Sequence, residues 1–169
     1  MINVRELSIN DALVINKWHN NKELFSFLVG NFYGPSLDET KKWISEYEKH
    51  INHSFRGIVS NEKSEDIGAV YLIDNNKPNE AEVGIFIANE ADRGKGYGYQ
   101  MMGWLINFGF NVLKLDRIVL WTLENNEHAI KLYEKFGFSF DASLDKVVTK
   151  DEERKIAKHM FLMKENYNG

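Results

Sequence analysis

The stretch "NEADRGKGYGYQMMGWLINFGF", residues 89–110, places three alternating glycines, Gly94, Gly96 and Gly98, directly before a long apolar run. Glycine is a poor residue for starting a helix, so its use here needs another explanation. The apolar run predicts a helix of about 16 residues, which is about 24 Å long at 1.5 Å per residue. The preceding segment, Ala81 to Ala88, predicts a strand.

A glycine loop between a strand and a helix is suited to binding a phosphate group. The first N–H groups of a helix have no partner within it, and the peptide dipoles place about half a positive charge there. Glycine carries no Cβ, so phosphate oxygens can approach its main chain, and it tolerates a positive φ. The spacing alone fits a mobile turn equally well. The predicted pyrophosphate site comprises Arg93, Gly94, Lys95, Gly96, Tyr97 and Gly98.

Two common phosphate-binding motifs fit this loop less well. A P-loop requires Ser or Thr after its Gly-Lys pair, and Gly96 follows Gly94-Lys95 here. A dinucleotide-binding fold has G-x-G-x-x-G after the first strand of a βαβ unit, whereas this loop reads G-x-G-x-G and follows a predicted antiparallel meander. We therefore expect a different nucleotide-carrying ligand.

Outward from the loop, hydrophobic periodicity predicts the element order β-α-α-β-β-β-α-β-α-β-β, a mixed α/β domain with a strand–helix–strand crossover in its second half. Ser36 and Glu39 have the spacing of a capping box and predict a helix through Tyr47. We expect one domain over residues 1–169, with a core from about 4 to 163 and a loose tail at 164–169. The predicted strands are Val4–Leu7, Phe55–Ser60, Ile67–Ile73, Ala81–Ala88, Ile118–Trp121, Phe138–Phe140 and Ala157–Met163, and the other helices include Asn10–Trp18 and Glu127–Phe136.

Composition narrows the class of protein. The 169 residues are 43% hydrophobic and 27% charged, which is typical of a globular domain. The net charge of −4 argues against broad nucleic-acid binding. We expect no membrane span and, since no signal peptide is recognisable, a cytoplasmic protein. The chain has no cysteine, and His50 and His53 do not form a recognised metal motif, so no metal site is expected.

Two blocks of this sequence resemble the GCN5-related N-acetyltransferase (GNAT) superfamily. The segment Arg93 to Gly98 is similar to that family's R/Q-x-x-G-x-G/A signature, and "ENNEHAIKLYEKFGF", residues 124–138, is similar to its N-x-x-A-x-x-x-Y-x-x-x-G-F block. The matching positions of the second block are Asn126, Ala129, Tyr133, Gly137 and Phe138. "KWHNN" and "EVGIFI" further resemble the branch that contains ribosomal-protein N-terminal and spermidine acetyltransferases.

The resemblance implies a largely antiparallel sheet of about seven strands with helices on both faces. It also implies acetyl-coenzyme A as co-substrate and direct transfer of the acetyl group to a primary amine. An amino sugar nucleotide, a protein N-terminus and a polyamine remain open as acceptors, and a homodimer is common among relatives. The alternative is a non-catalytic module that binds acetyl-coenzyme A.

The resemblance also implies roles for individual residues. Tyr133 would assist the departing sulfur, and Glu82 would accept the proton of the amine, perhaps through water. Phe86 and Ile87 would pair through their main chains with the pantetheine arm, and Asn126 would hydrogen-bond that arm. Each has a plainer interpretation: Tyr133 as core, Glu82 as a solvent-facing strand residue, and Asn126 as a helix N-cap.

Overall fold

The computed structural model describes residues 1–49 and 54–169, so His50 and His53 lie outside the described part of the chain. The helices are α1 (Ala12–His19), α2 (Lys22–Phe25), α3 (Leu37–Lys49), α4 (Tyr97–Asn111) and α5 (Glu127–Lys135). The strands are β1 (Asn3–Glu6), β2 (Phe55–Ser60), β3 (Asp66–Asp74), β4 (Glu80–Ile87), β5 (Arg117–Leu123), β6 (Ser139–Phe140), β7 (Lys146–Lys150) and β8 (Glu153–Met163).

These strands form one eight-stranded sheet in the order β1-β2-β3-β4-β5-β8-β6, with β7 paired to β8 beside this path. Every pairing is antiparallel except that of β4 with β5, which are parallel and connected through α4. A parallel pair needs such a crossover, because a tight turn can join only antiparallel strands. The mixed, largely antiparallel sheet and its crossover are confirmed.

Helices cover both faces of the sheet, as predicted. On one face α4 buries an apolar stripe, which includes Met101, Met102, Leu105 and Phe110, and α5 joins the same cluster. On the other face α1 and α3 contribute Ile15, Trp18 and Ile44 to a second cluster. The sheet therefore separates two apolar cores, and a residue on a strand belongs to one or the other by its alternation.

The hairpin of β7 and β8 was not predicted in full. The sequence analysis began the last strand at Ala157 and placed no strand at residues 146–150. The connecting turn puts Asp151 and Glu152 at φ values of 49° and 67°, as a two-residue type I′ turn requires. Such turns favour Asn-Gly or Asp-Gly, and because this turn contains no glycine, the usual sequence signal is missing.

The end of the chain is more ordered than the loose tail that was predicted. Residues Lys164–Asn166 form a 3₁₀ turn, and the amide of Lys164 donates to the carbonyl of Asp116 at 3.0 Å. The ring of Tyr167 lies 5.5 Å from that of Phe110, centroid to centroid. One aromatic residue in a polar segment thus suffices to pack the segment against the core.

Strands β4 and β5 separate soon after they meet. They pair at only three positions, where Glu80, Ala81 and Glu82 lie opposite Arg117, Ile118 and Val119. Strand β4 continues to Ile87 and β5 to Leu123 without further pairing between them. The result is a gap in the sheet, with a free main-chain edge on β4. The glycine loop follows directly after the open end of this edge.

Candidate functional site: a glycine loop and a gap in the sheet

The glycine loop has the backbone conformation that only glycine adopts readily. Gly94 and Gly96 have φ values of 74° and 81°, and a Cβ on either would meet no atom within 4 Å. Gly98 differs, since it lies within α4 and a Cβ there would sit 3.8 Å from Leu132. The loop therefore presents main-chain amides of the α4 N-terminus to open space, which fits a phosphate group.

Side chains around the loop add less charge than the sequence implies. The ammonium of Lys95 lies 3.5 Å from Oδ1 of Asp92, and this ion pair partly offsets its charge. Tyr97 is buried and its hydroxyl donates to Glu62 at 3.0 Å, so only its main chain faces the loop. The guanidinium of Arg93 lies over the ring of Phe27, 5.0 Å from the centroid. Arg93 is therefore the loop cation without a carboxylate partner in the described chain.

The free edge of β4 exposes the main chain of alternate residues. The amide of Ala88 donates to the carbonyl of Ile67 at 2.8 Å, and the carbonyl of Phe86 occupies the place that a Cβ on Gly68 would take. The main chains of Phe86 and Ala88 therefore face β3. Because successive residues of a strand direct these groups to opposite sides, those of Ile85 and Ile87 face the gap. This geometry supports the prediction for Ile87 and favours Ile85 over Phe86.

The side chain of Phe86 lies on the α1 face of the sheet. Its ring packs edge-on against Trp18, with 5.7 Å between centroids, and lies 6.1 Å from Tyr71. The residue is 9% exposed and belongs to the second apolar cluster. Phe86 thus contributes a wall on that face rather than a main-chain partner for a ligand in the gap.

Tyr133 lies on α5, on the α4 side of the sheet. It is 9% exposed and its ring lies 6.1 Å from that of Phe138. Burial raises its pKa to about 12, because the phenolate form would lose its hydration. Within the described residues its hydroxyl has no hydrogen-bond partner. Tyr133 is a core residue, as its helical periodicity predicts, but it keeps an uncommitted donor.

Asn126 caps the helix that carries Tyr133. Its Oδ1 accepts from the amide of Ala129 at 3.3 Å, which confirms the N-cap interpretation. Gly137, with φ at 91°, follows the C-terminal end of the same helix and confirms the predicted cap there. The carboxamide nitrogen of Asn126 remains available beyond the cap. Both capping residues fix the position of Tyr133 relative to the gap.

Glu82 lies on the opposite face of the sheet from Tyr133. Ala81 belongs to the α4 cluster, so alternation turns Glu82 toward the other face. The side chain is half-buried, and burial raises its pKa while the charge of Lys146 lowers it. The Lys146 ammonium in turn lies 4.0 Å from the ring centroid of Trp121 on β5. Glu82 is therefore more buried than a solvent-facing strand residue.

The gap is the place where both predicted catalytic residues can reach one group. A closed sheet would separate Tyr133 on the α4 side from Glu82 on the α1 side. Beyond Glu82, however, no strand lies between the two faces, because β4 and β5 no longer pair. A thioester that lies in the gap, continuing the sheet as an added strand would, is open to both faces. The sequence could not reveal this arrangement, since it depends on where the pairing ends.

Two buried polar groups on the α1 face were missed by the sequence analysis. The Arg56 guanidinium lies 3.9 Å from the ring centroid of Trp43, and its Nε and Nη1 have no hydrogen-bond partner in the described chain. The Tyr71 hydroxyl is likewise buried without a partner, and burial raises its pKa. Arg56 and Tyr71 face each other across β2 and β3. Only strand alternation placed them inward, and a lone arginine in a strand gives no stronger signal.

A cavity of about 340 Å³ opens beside this face. Its aromatic walls include three of the residues that were predicted to form an acceptor pocket. Burial and the charge of Arg56 lower the pKa of His19, which favours a neutral imidazole. Glu39 supplies a carboxylate while it also completes the capping box with Ser36. The lining residues are His19, Phe25, Tyr33, Pro35, Glu39, Thr40 and Trp43.

Two searches of the described chain gave negative results. Residues 1–49 and 54–169 contain no group of three or more His, Asp or Glu side chains placed to hold a metal ion. Over the same ranges, none of the helices has the length and apolarity needed to cross a bilayer.

Comparisons with known proteins agree with the geometry. The sequence profile of the acetyltransferase (GNAT) domain matches residues 2–139. The spermidine N(1)-acetyltransferase of Vibrio cholerae is 29% identical over 98% of this chain and 95% of its own length. A spermine/spermidine N(1)-acetyltransferase of Bacillus subtilis is 45% identical over 60 residues, which are 36% of this chain and 40% of that protein.

A solved structure shows the same fold throughout. The crystal structure of the Vibrio cholerae spermidine N-acetyltransferase in complex with CoA and spermine superposes with a TM-score of 0.89. The two chains are 26% identical, and the match covers 99% of this chain and 98% of the other. The predicted superfamily, its spermidine acetyltransferase branch and the predicted fold are thus confirmed. This chain belongs to the GNAT acetyltransferase family, and it is an acetyl-coenzyme A-dependent N-acetyltransferase.

Proposed function

We propose that this enzyme acetylates a primary amine of a polyamine, and that transfer occurs in the gap between β4 and β5. The observation that carries the proposal is the position of Tyr133 and Glu82 on opposite sides of that gap. The likeness to spermidine acetyltransferases over nearly the whole chain favours a polyamine over an amino sugar nucleotide or a protein N-terminus.

In the proposed reaction, the amine nitrogen attacks the thioester carbonyl and the carbon–sulfur bond breaks. The acceptor first loses a proton to Glu82, directly or through water, because an alkylammonium near pKa 10.4 carries no free electron pair. Tyr133 donates a hydrogen bond to the departing sulfur. With a pKa of about 12, it is a weaker acid than a thiol near 8.5, so it stabilises the thiolate without giving up its proton fully.

The same proposal assigns the co-substrate to groups already described. The amides from Gly94 to Gly98 and the guanidinium of Arg93 would bind the pyrophosphate. The pantetheine arm would pair with the main chains of Ile85 and Ile87 along the free edge of β4. The carboxamide nitrogen of Asn126 would donate to that arm.

Replacing Glu82 with glutamine should remove the acid limb of the pH profile. A base must be ionised to act, and burial raises the pKa of Glu82. We therefore expect kcat/KM of the enzyme to fall as the pH drops through a value above the usual carboxyl range. The Glu82→Gln variant should lose about 100-fold in kcat/KM at neutral pH. An unchanged profile in the variant would assign the base elsewhere.

The acceptor class is tested by measuring thiol release from acetyl-coenzyme A. Spermidine and spermine should give kcat/KM values at least about tenfold above those of an N-terminal peptide amine or an amino sugar nucleotide, since a protein pocket discriminates such ligands by about 1–3 kcal/mol. Cadaverine, which has two amines but no internal one, is the matched control for chain length. A higher value for either non-polyamine substrate would reject the polyamine proposal.

We also infer a homo-oligomer larger than the predicted dimer. The Vibrio cholerae spermidine N-acetyltransferase has been solved in a dodecameric structure, with a TM-score of 0.82 and 27% identity to this chain. Light scattering of the enzyme would measure its mass against the 19.7 kDa protomer, and a mass of one or two protomers would contradict the inference.

A further inference from the structure

Lys150, the last residue of β7, is a buried lysine without a carboxylate partner in the described chain. It is 4% exposed, and its ammonium donates to three main-chain carbonyls, those of Phe25, Leu28 and Gly30. Burying an ammonium is costly unless its donors are satisfied, and here all three N–H groups find an acceptor. Phe25 and Lys150 are 125 residues apart in sequence. The lysine therefore fastens two distant parts of the chain together.

The fastened segment, residues 25–30, runs from the end of α2 without regular secondary structure. Within it, the side chain of Phe27 is largely exposed, at 53%, and its ring lies beneath the guanidinium of Arg93. The segment thus joins the β7–β8 hairpin to the first residue of the glycine loop. Phe27 has no described role in either apolar core.

We propose that Lys150 is a positioning residue for acetyl-coenzyme A, because it holds Phe27 in place to orient Arg93 toward the glycine loop. The inference rests on the proposed pyrophosphate site. An arginine side chain has many rotamers, and fixing it before the ligand arrives lowers the entropic cost of binding. Removal of the fastening should weaken the co-substrate while the chemistry at the gap continues.

The test measures KM for acetyl-coenzyme A and kcat separately in Lys150→Met, Phe27→Leu and the double variant. Each single variant should raise this KM about three- to fivefold, the size of one exposed cation–π contact. Its kcat at saturating co-substrate should stay within about twofold. The double variant should be no worse than the worse single variant, since both changes cut the same path. Lys150→Arg, which keeps a multiple donor, should restore most of the affinity.

Three comparisons separate the possible results. Lys155→Met changes an exposed-side ion pair of the same hairpin, 3.6 Å from Glu153, and should leave KM unchanged. An Arg93→Ala variant with unchanged KM would reject the pyrophosphate site itself. If Arg93→Ala raises KM but Phe27→Leu does not, the positioning role of Lys150 is wrong and the site stands. Phe27→Leu decides the question even if Lys150→Met does not fold, because its side chain is exposed. Additive effects in the double variant would also overturn the proposal.

Discussion

Replacement of Tyr133 by phenylalanine is expected to lower kcat about 100-fold and to leave the Kd of coenzyme A within about twofold. The hydroxyl has no partner within the described residues, so its removal leaves no protein acceptor unsatisfied. The ring remains packed on Phe138, so α5 should keep its place. Removing one preorganised donor from a developing anion typically costs two to three orders of magnitude in rate.

The measurement is thiol release at saturating acetyl-coenzyme A and acceptor, with calorimetry for coenzyme A. Tyr167→Phe provides the control, because Tyr167 packs on Phe110 in the same core away from the gap. We expect Tyr167→Phe to keep kcat within about twofold. A Tyr133→Phe enzyme with the same kcat as the parent would show that the sulfur leaves without help from this hydroxyl.

Replacement of Gly96 by valine is expected to raise KM for acetyl-coenzyme A about tenfold or more, at little cost to kcat. The φ of 81° disfavours a β-branched residue, and the side chain would project into the open space above the loop. Loss of one charge-assisted hydrogen bond to the pyrophosphate costs about 1.5–3 kcal/mol, and 1.4 kcal/mol is a tenfold change in affinity.

Gly96→Asn separates strain from blockage, since asparagine tolerates a positive φ but still fills the space. A raised KM in both variants indicates that bulk excludes the phosphate. Gly103→Ala is the control on the same helix, where the added Cβ would lie 3.5 Å from Phe136. If calorimetry finds the same Kd for coenzyme A in Gly96→Val as in the parent enzyme, the pyrophosphate binds elsewhere.

Most of the fold was accessible from the sequence because its elements carry strong local signals. The glycine loop, the capping box at Ser36 and the apolar period of α4 all reappear in the structure. The β7–β8 hairpin was incomplete because Asp151 and Glu152 adopt a turn that usually contains glycine. In such a case the long-range pairing of two strands, rather than local preference, determines the turn.

The site was accessible only in part, since its residues are recognisable but their arrangement is not. The motif positions indicated Tyr133 and Asn126, yet the facing direction of Ile85 depends on the register of β4 with β3. Lys150 has the residue type of an exposed strand end, and only the fold brings three carbonyls to it. Arg56 was missed for the same reason, because its burial arises from residues far away in sequence.

The gap also affects how the folded molecule holds together. Only three residue pairs bridge β4 and β5, so the sheet consists of two nearly independent ribbons that share α4 as their main covalent and packing link. A bound pantetheine arm would supply main-chain hydrogen bonds that the polypeptide itself omits. The substrate is then a missing strand of its own enzyme, and the cooperativity between the two halves of the domain increases whenever it is present.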